Sequence, residues 1–236
     1  MFNFNRKGPK GSFGQIWFSD ENPHLVQKRT ISKKKNKLRE EAKKYRQVAD
    51  AIKCLGLQHI RTIRTTPEHY DETSGFFTMQ RLYPLPGSSH KDIQLDYSII
   101  NEDDKEWLYS PDKLSSYINY NPKELAYELG KLWMEALVSY NLILWEPELM
   151  VAKLKNEDKY SIFIMDFDKS EYITKGSYTS KNEVELHNFL TNIFPTPDSR
   201  FFEDFSSGLV SQSEYHGQAE LGKKIIENFI NIFNKQ

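Results

Sequence analysis

The first third of the chain alternates apolar and polar residues in short runs, a pattern typical of half-buried β-strands. A glycine-rich turn in GPKGSFGQI lies between the first two runs, and HLVQKR forms a third. The runs HIRTIRTT and FFTMQRLYPL add two more strands, which the turn-rich PEHYDETSG separates. The pattern therefore predicts a small sheet.

Helical periodicity begins after the third strand. From about Ser32 to Leu55 the apolar positions recur every three or four residues, and Gly56 is suited to end the helix. A stronger helix is predicted to begin after Asn121, whose side chain can cap it. Pro122 suits the first turn of this helix. The apolar stripe of this second helix predicts that it packs in a core.

The second half of the chain continues with a predicted hairpin. Its strands are LMVAKLK and YSIFIMDF, and the tail contains ELHNFLTNIF and a final amphipathic helix, AELGKKIIENFINIF. Residues 88–120, before the long helix, are polar and irregular. We expect a linker there, with irregular or short helical insertions.

The composition fits a folded protein. The chain has 236 residues, of which 38% are hydrophobic and 14% aromatic, with a formal net charge of −1. This suits one compact domain with two lobes, or two small domains that share an interface. The N-terminus lacks the apolar core of a signal peptide, and no apolar run is long enough for a membrane span. We therefore expect no membrane partner, and we leave export by an unrecognised signal open.

The cysteine and histidine content excludes several kinds of site. A single cysteine, Cys54, allows no internal disulfide and favours a reducing, cytoplasmic or otherwise intracellular compartment. Cys54 lies near the apolar end of a predicted helix, where we expect a small buried packing residue rather than a nucleophile. The six histidines are scattered without ligand spacing, so the sequence indicates no catalytic zinc site.

Three short features could carry chemistry. The glycines that precede Ile16 allow close backbone approach to phosphate oxygens, although a surface hairpin uses glycines equally well. Lys28 could neutralise phosphate charge if Glu40 or Glu41 on the next helix holds it, or it could be one of many surface lysines. The strand IFIM ends at Asp166, whose carboxylate suits Mg²⁺, although acidic turns after strands are common.

In this order the features resemble the protein-kinase series of glycine loop, strand lysine, helix glutamate, hinge and Asp-Phe-Gly metal motif. The likeness covers roughly residues 8–170, with Pro9 at the first glycine position and Asp168 in place of the final glycine. It implies an α+β, two-lobed fold: an N-lobe of residues 1–87, with a small antiparallel sheet and one helix, and a reduced, mainly helical C-lobe of residues 88–236.

The kinase resemblance also implies ATP and Mg²⁺ as cofactors, each with its own residues. The implied nucleotide-binding residues are Gly11, Ser12, Phe13, Gly14, Ile16, Lys28, Glu40, Glu41, Met79, Arg81 and Leu82. The implied metal ligands are Asp166 and Glu148.

The predicted catalytic loop departs from the kinase pattern. An active kinase needs an aspartate that positions the acceptor hydroxyl and an asparagine that binds a second Mg²⁺. If Glu148 stands at the asparagine position, Ile143 occupies the aspartate position; if Leu149 does, the aspartate becomes Leu144. Glu146 and Glu148 remain as candidate catalytic carboxylates, and they could equally be exposed loop residues.

A second, weaker likeness is to a fungal domain of unknown function found in proteins often labelled zinc-finger proteins. That family is similar in the RLYPLP segment, in ALVSYNLILWEPELMV and in an apolar strand that ends in a DFD-type motif. No zinc-finger residues occur in this chain, and this likeness implies no activity.

These features leave three functional hypotheses. The first is a pseudokinase, a nucleotide-binding regulatory module with a protein partner. The second is an unconventional ATP- and Mg²⁺-dependent transferase of phosphoryl or nucleotidyl groups that uses Glu146 or Glu148 with Asp166. The third is a nucleic-acid-associated factor that uses the basic run Lys33–Lys44, which we expect instead to be a solvated helix face. Only the first two explain the order of the motifs.

Overall fold

The computed structural model describes residues 3–10, 14–31, 35–71, 75–84, 117–119, 121–144, 148–167, 170–174 and 200–233. The strands in these ranges are β1 (Arg6–Lys10), β2 (Gly14–Phe18), β3 (Leu25–Thr30), β4 (Ile60–Arg61), β5 (Thr65–Asp71), β6 (Phe76–Gln80), β7 (Tyr83–Pro84), β8 (Leu142–Ile143), β9 (Glu148–Lys153), β10 (Ser161–Met165) and β11 (Glu171–Tyr172). The helices are α1 (Lys35–Leu55), α2 (Pro122–Tyr140), α3 (Arg200–Tyr215) and α4 (Ala219–Phe233).

The first half of the chain forms the predicted antiparallel sheet. Its five strands lie in the order β1-β2-β3-β6-β5, and every pair is antiparallel. The sequence placed a turn over residues 67–75, and this was wrong for its first part. β5 continues through Asp71 because the chain pairs with β6 on both sides of an irregular stretch, at Thr65 and Thr66 and again at Asp71.

A second sheet combines both halves of the chain. Its four strands lie in the order β4-β10-β9-β7, so the predicted β9–β10 hairpin is confirmed and sits between two short strands from the first half. The run HIRTIRTT, predicted as one strand, is divided: β4 pairs in parallel with β10, whereas β5 belongs to the first sheet. β7, directly after the first sheet, pairs with β9.

Helix α1 packs one face against the core and ends as predicted. Leu38, Tyr45 and Val48 are buried, and Gly56 adopts a left-handed φ of 63° just beyond the last helical residue. The expectation that Cys54 is buried was wrong, because it is exposed. Cys54 follows Asp50 by one turn, and this places it on the polar side of the helix.

The helix after Asn121 begins as the sequence indicates. The Asn121 side chain accepts hydrogen bonds from the amides of Lys123 (3.2 Å) and Glu124 (3.3 Å), and α2 then runs to Tyr140. Leu132 and Trp133 lie in the core with almost no exposed surface. The predicted core packing of this helix is therefore confirmed.

Two helices complete the described chain. α4 matches the predicted final helix, whereas α3, which packs across α2, was not predicted. At the crossing, a Cβ on Gly130 would lie 2.0 Å from the Phe205 carbonyl oxygen, and one on Gly208 would lie 2.0 Å from the Tyr127 carbonyl oxygen. Glycine at both positions lets the two backbones touch.

The predicted α+β fold, with an N-terminal antiparallel sheet, one helix and a mainly helical remainder, is confirmed. The predicted segment ELHNFLTNIF and most of the predicted linker lie outside the described residues. The predicted boundary between residues 87 and 88 also lies there and stays a prediction. In the part of the chain that is described, none of the helices has the length and apolar character needed to cross a bilayer.

Candidate functional site

Lys28 lies on the face of β3 that α1 covers. It pairs with Ile16 of β2, and Val26, which points to the same side of the strand, is buried in the core. A Cβ added to Gly14 would lie 3.0 Å from both Cγ and Cε of Lys28. The Lys28 side chain therefore passes directly under Gly14, and any larger residue there would press on it.

Lys28 meets two carboxylates that are distant in sequence. Its ammonium lies 2.6 Å from Glu41 Oε1 and 3.7 Å from Asp166 Oδ1. The Glu41 side chain is 2% exposed, that of Lys28 14% and that of Asp166 34%, so the site opens to solvent on the Asp166 side. The structure thus brings Lys28 and Asp166 together, as the order of motifs predicted.

The position of each glutamate on α1 decides which one pairs with Lys28. Glu41 lies on the same helix face as buried Leu38 and Tyr45, whereas Glu40 is exposed. The charge of Glu40 acts instead on Tyr172 of β11: burial first, and then this negative charge, raises the pKa of the Tyr172 hydroxyl to about 12. Glu40, one of the two partners considered, is therefore not the partner of Lys28.

Asp166 has an unusual backbone and an unsatisfied side chain. Its φ of 58° is in the left-handed region, and its amide donates to the Tyr45 hydroxyl at 2.9 Å. Asp166 Oδ1 is buried and accepts no hydrogen bond from the described residues. Its 3.7 Å separation from Lys28 Nζ is an ionic contact that is too long for a hydrogen bond. An oxygen of this kind fits a magnesium ligand.

Helix α1 also holds the residues that follow Asp166. The Phe167 ring is fully buried and meets the Tyr45 ring edge-on, with 4.8 Å between centroids. The Lys44 ammonium donates to the carbonyl oxygens of Phe167 (3.1 Å) and Ser170. Neither α1 residue was predicted to belong to the site, because Lys44 is part of a basic run and Tyr45 part of an apolar stripe. Their spacing of three and four residues after Glu41 was the available signal.

Apolar side chains stand on the same side of the first sheet as Lys28. Val26 pairs with Met79 of β6, both are buried, and Ile16 is half-buried beside them. Met150 of β9 and Met165 of β10 are partly buried side chains of the second sheet that pack against the same core. Such a set is suited to a flat aromatic base next to a phosphate-binding lysine.

The predicted hinge residues join the two sheets. β6 of the first sheet ends at Gln80 and β7 of the second begins at Tyr83. Between them, the Arg81 amide donates to the His24 carbonyl at 2.8 Å, and its guanidinium lies 4.5 Å from the Phe18 ring and 4.8 Å from the Tyr83 ring. Leu82 packs partly against the core.

Ile143 and Leu144 are the two residues that could stand at the position of the kinase catalytic aspartate. They are apolar and buried, with 0% and 1% of their surface exposed, so neither alignment supplies a carboxylate. Glu146 lies outside the described residues. For Glu148 the backbone is described, at the start of β9 and opposite Met165, the residue before Asp166.

Other predicted site residues cannot be placed. Gly11, Ser12, Phe13 and Asp168 lie outside the described ranges, so the glycine-turn prediction rests on Gly14 alone. Within those ranges no group of three or more histidine, cysteine, aspartate or glutamate side chains could hold a metal ion. A metal ion at Asp166 would therefore need ligands beyond the described side chains, and Glu148 as a metal ligand stays a prediction.

Comparison with known proteins gives a distant structural match. No protein-family model and no curated protein sequence matches the chain. Among solved structures, "WaaP in complex with acyl carrier protein" is similar with a TM-score of 0.46 at 10% identity, over 97% of this chain and 90% of that one. A likeness at this level carries no argument about function. The Lys28, Glu41 and Asp166 arrangement is therefore the basis for any functional conclusion.

Proposed function

We propose that this protein binds ATP with Mg²⁺ in the site around Lys28 and acts as a pseudokinase that regulates a protein partner. The observation that carries the proposal is the position of Lys28 between Glu41 and Asp166. In protein kinases a lysine on the third strand pairs with a helix glutamate and faces the metal-binding aspartate. Here Lys28 is on β3, Glu41 on α1, and Asp166 directly after β10.

Each part of the site has a role in this proposal. Lys28 pairs with the phosphates, and Glu41 keeps its ammonium in place. Asp166 Oδ1, which accepts no hydrogen bond from the described residues, is the protein's ligand for Mg²⁺. Ile16, Val26 and Met79 contact the base. When bound, Mg²⁺ neutralises phosphate charge next to Asp166.

The proposed lack of phosphoryl transfer rests on the residues directly after α2, where an active kinase has its catalytic aspartate. Ile143 and Leu144 are buried and apolar at the two positions considered for the aspartate that orients an acceptor hydroxyl. Positioning and electrostatics provide most of the catalysis in phosphoryl transfer. A site without the positioning carboxylate keeps nucleotide binding and loses most of the rate.

One observation favours a second candidate, an unconventional ATP-dependent transferase. The backbone of Glu148 is paired with Met165, next to Asp166. Residues paired across antiparallel strands have Cα atoms about 5 Å apart. The backbone of Glu148 therefore lies near Asp166, and in this second candidate Glu148 would add a metal ligand or a base for transfer of a phosphoryl or nucleotidyl group.

Calorimetric titration with ATP and Mg²⁺ tests the proposal. We expect wild-type protein to bind, and the double variant Lys28→Met/Glu41→Met to lose affinity by at least about tenfold, since it lacks the charge-assisted contact to phosphate. Lys53→Met, which removes an exposed lysine at the other end of α1, is the matched control and should bind like wild type. Absence of wild-type binding would overturn the proposal.

Two labelled nucleotides then separate the two candidates. Protein and Mg²⁺ are incubated with ATP labelled at the γ-phosphorus or at the α-phosphorus, with Asp166→Asn as control. Binding without transfer of either label supports the pseudokinase. Asp166-dependent transfer of the γ-label shows a phosphotransferase, and transfer of the α-label shows a nucleotidyltransferase.

A further inference from the structure

Lys44 is a buried cation directed away from solvent. It lies on α1, one turn after Glu41, and only 5% of it is exposed. Its ammonium donates to the carbonyl oxygens of Phe167 (3.1 Å) and Ser170. Removing an ammonium from water is costly unless hydrogen bonds replace the lost water. These two bonds therefore couple the position of α1 to the residues after Asp166.

The two carbonyls that Lys44 binds are the two ends of one turn. The Ser170 amide donates to the Phe167 carbonyl at 3.2 Å, which closes the turn. The Phe167 oxygen thus accepts from both Ser170 and Lys44. Ser170 is 1% exposed and the Phe167 side chain 0%, so both ends of the turn are inside the protein.

The same helix holds Asp166 itself. A left-handed backbone costs an aspartate roughly 1 kcal/mol or more, and Asp166 adopts it with a φ of 58°. The Asp166 amide donates to the Tyr45 hydroxyl at 2.9 Å. α1 therefore contacts the segment at Asp166, Phe167 and Ser170, through Tyr45 and Lys44.

We propose that Lys44 is a positioning residue that holds the turn after Asp166 and so keeps the Asp166 carboxylate opposite Lys28. The inference rests on the proposed nucleotide function. α1 then sets both carboxylates at Lys28: Glu41 directly, and Asp166 through Lys44 and Tyr45. The metal-binding aspartate is in place before nucleotide arrives, and no separate event is needed to order it.

Removing the Lys44 ammonium should weaken only the Mg²⁺-dependent part of ATP binding. Without the ammonium, the Phe167 and Ser170 carbonyl oxygens lose their hydrogen bonds to Lys44, and we expect Asp166 to sample other orientations. Contacts of the base with Val26 and Met79 do not pass through this turn. Lys44→Met should therefore weaken ATP binding in the presence of Mg²⁺ and leave binding in EDTA nearly unchanged.

The first experiment measures the ATP dissociation constant with Mg²⁺ and with EDTA for wild type, Lys44→Met and the control Lys53→Met. We expect Lys44→Met to lower the ratio of the ATP affinity with Mg²⁺ to that in EDTA by about tenfold, and Lys53→Met to leave this ratio unchanged. Tyr45→Phe, which removes only the hydroxyl, should lower the same ratio by a smaller factor. Equal losses with Mg²⁺ and with EDTA, or an unchanged ratio, would overturn the proposal.

The second experiment needs no nucleotide, so it separates this proposal from the proposed function. Hydrogen exchange is followed at the Asp166 and Ser170 amides, whose partners are Tyr45 and the Phe167 carbonyl. We expect both to exchange at least about tenfold faster in Lys44→Met, with α2 amides unchanged. If wild type binds no ATP but this acceleration occurs, the nucleotide function fails and the holding role of Lys44 stands. Unchanged exchange overturns the role in either case.

Discussion

Glu41 and Lys28 depend on each other energetically. The Glu41 carboxylate is almost fully removed from water, and Lys28 lies 2.6 Å from it. A buried charge loses its hydration, and its interaction with an opposite charge offsets that loss. Removing one partner leaves the other charge with an uncompensated desolvation penalty. Replacing both with apolar groups of similar size removes this penalty.

A double-mutant cycle tests this dependence. We expect Lys28→Met and Glu41→Met each to lower the free energy of unfolding by roughly 3 kcal/mol, because each leaves a buried charge without its main partner. The double variant should recover much of that loss while it still fails to bind nucleotide. Urea denaturation supplies the unfolding free energies. Strictly additive losses would show that the two side chains are not coupled.

Helix α1 is the element that assembles the site. Within one turn it supplies Glu41 to Lys28, Lys44 to the turn after Asp166, and Tyr45 to the Asp166 amide. Three side chains at positions i, i+3 and i+4 share one face of a helix. The candidate site therefore depends on how α1 is placed.

At the crossing of α2 and α3 the backbones of the two helices come into direct contact. Gly130 and Gly208 each bring a Cα against a carbonyl oxygen of the other helix. A methyl group at 2.0 Å from backbone has no flexible neighbour to displace, so the helices themselves must move apart.

Substitution of Gly130 tests this crossing. We expect Gly130→Ala to lower the free energy of unfolding by about 3 kcal/mol or more, although alanine is the better helix former. Gly217→Ala is the comparison, since Gly217 has nothing within 4 Å of its added Cβ and a φ of 67°. That change should cost about 1 kcal/mol, from the left-handed backbone alone. Equal stability of the Gly130 variant and wild type in thermal and denaturant unfolding would contradict the described crossing.

At the scale of the molecule, several contacts bind the first sheet and α1 to the second half of the chain. The two Glu128 carboxylate oxygens on α2 accept from the amides of Gln58 and His59, each at 2.8 Å. Arg61 pairs with Glu157 at 2.8 Å, and the Thr62 hydroxyl donates to the Ile164 carbonyl at 2.8 Å. Residues 58–62 join α1 to the first sheet, and their contacts therefore tie both elements to the second half of the chain.

We therefore expect the chain to unfold in one cooperative transition. Far-UV circular dichroism and tryptophan fluorescence should give coincident denaturation curves, since Trp17 is in the first sheet and Trp133 in α2. A fragment of residues 1–87 should remain unfolded by itself, because Ile60 and Ile63, both at most 1% exposed, would lose the apolar cover of the second half. Two separated transitions, or a folded fragment, would show independent lobes.

Local features of the sequence predicted much of this fold. The cap at Asn121 and the stop at Gly56 set the helix ends, because side-chain hydrogen bonds and a left-handed glycine act within a few residues. The turn predicted over residues 67–75 failed in its first part, since β5 pairs with β6 at Thr66 and again at Asp71, and local turn preferences carry no information about such pairing. Helix α3 was missed because Gly208, which its close contact with α2 requires, weakens the helical pattern of its own sequence.

Spacing and alternation are properties of neighbouring residues, so the sequence predicted the order of most elements and the residue types near the candidate site. Long-range packing settled that Glu41 rather than Glu40 meets Lys28, and that Cys54 is exposed. It also brought Lys44 and Tyr45 to the Asp166 segment, more than a hundred residues away. Such choices depend on which side of a helix faces the rest of the chain, and a rotation of 100° between successive residues separates a buried partner from an exposed charge.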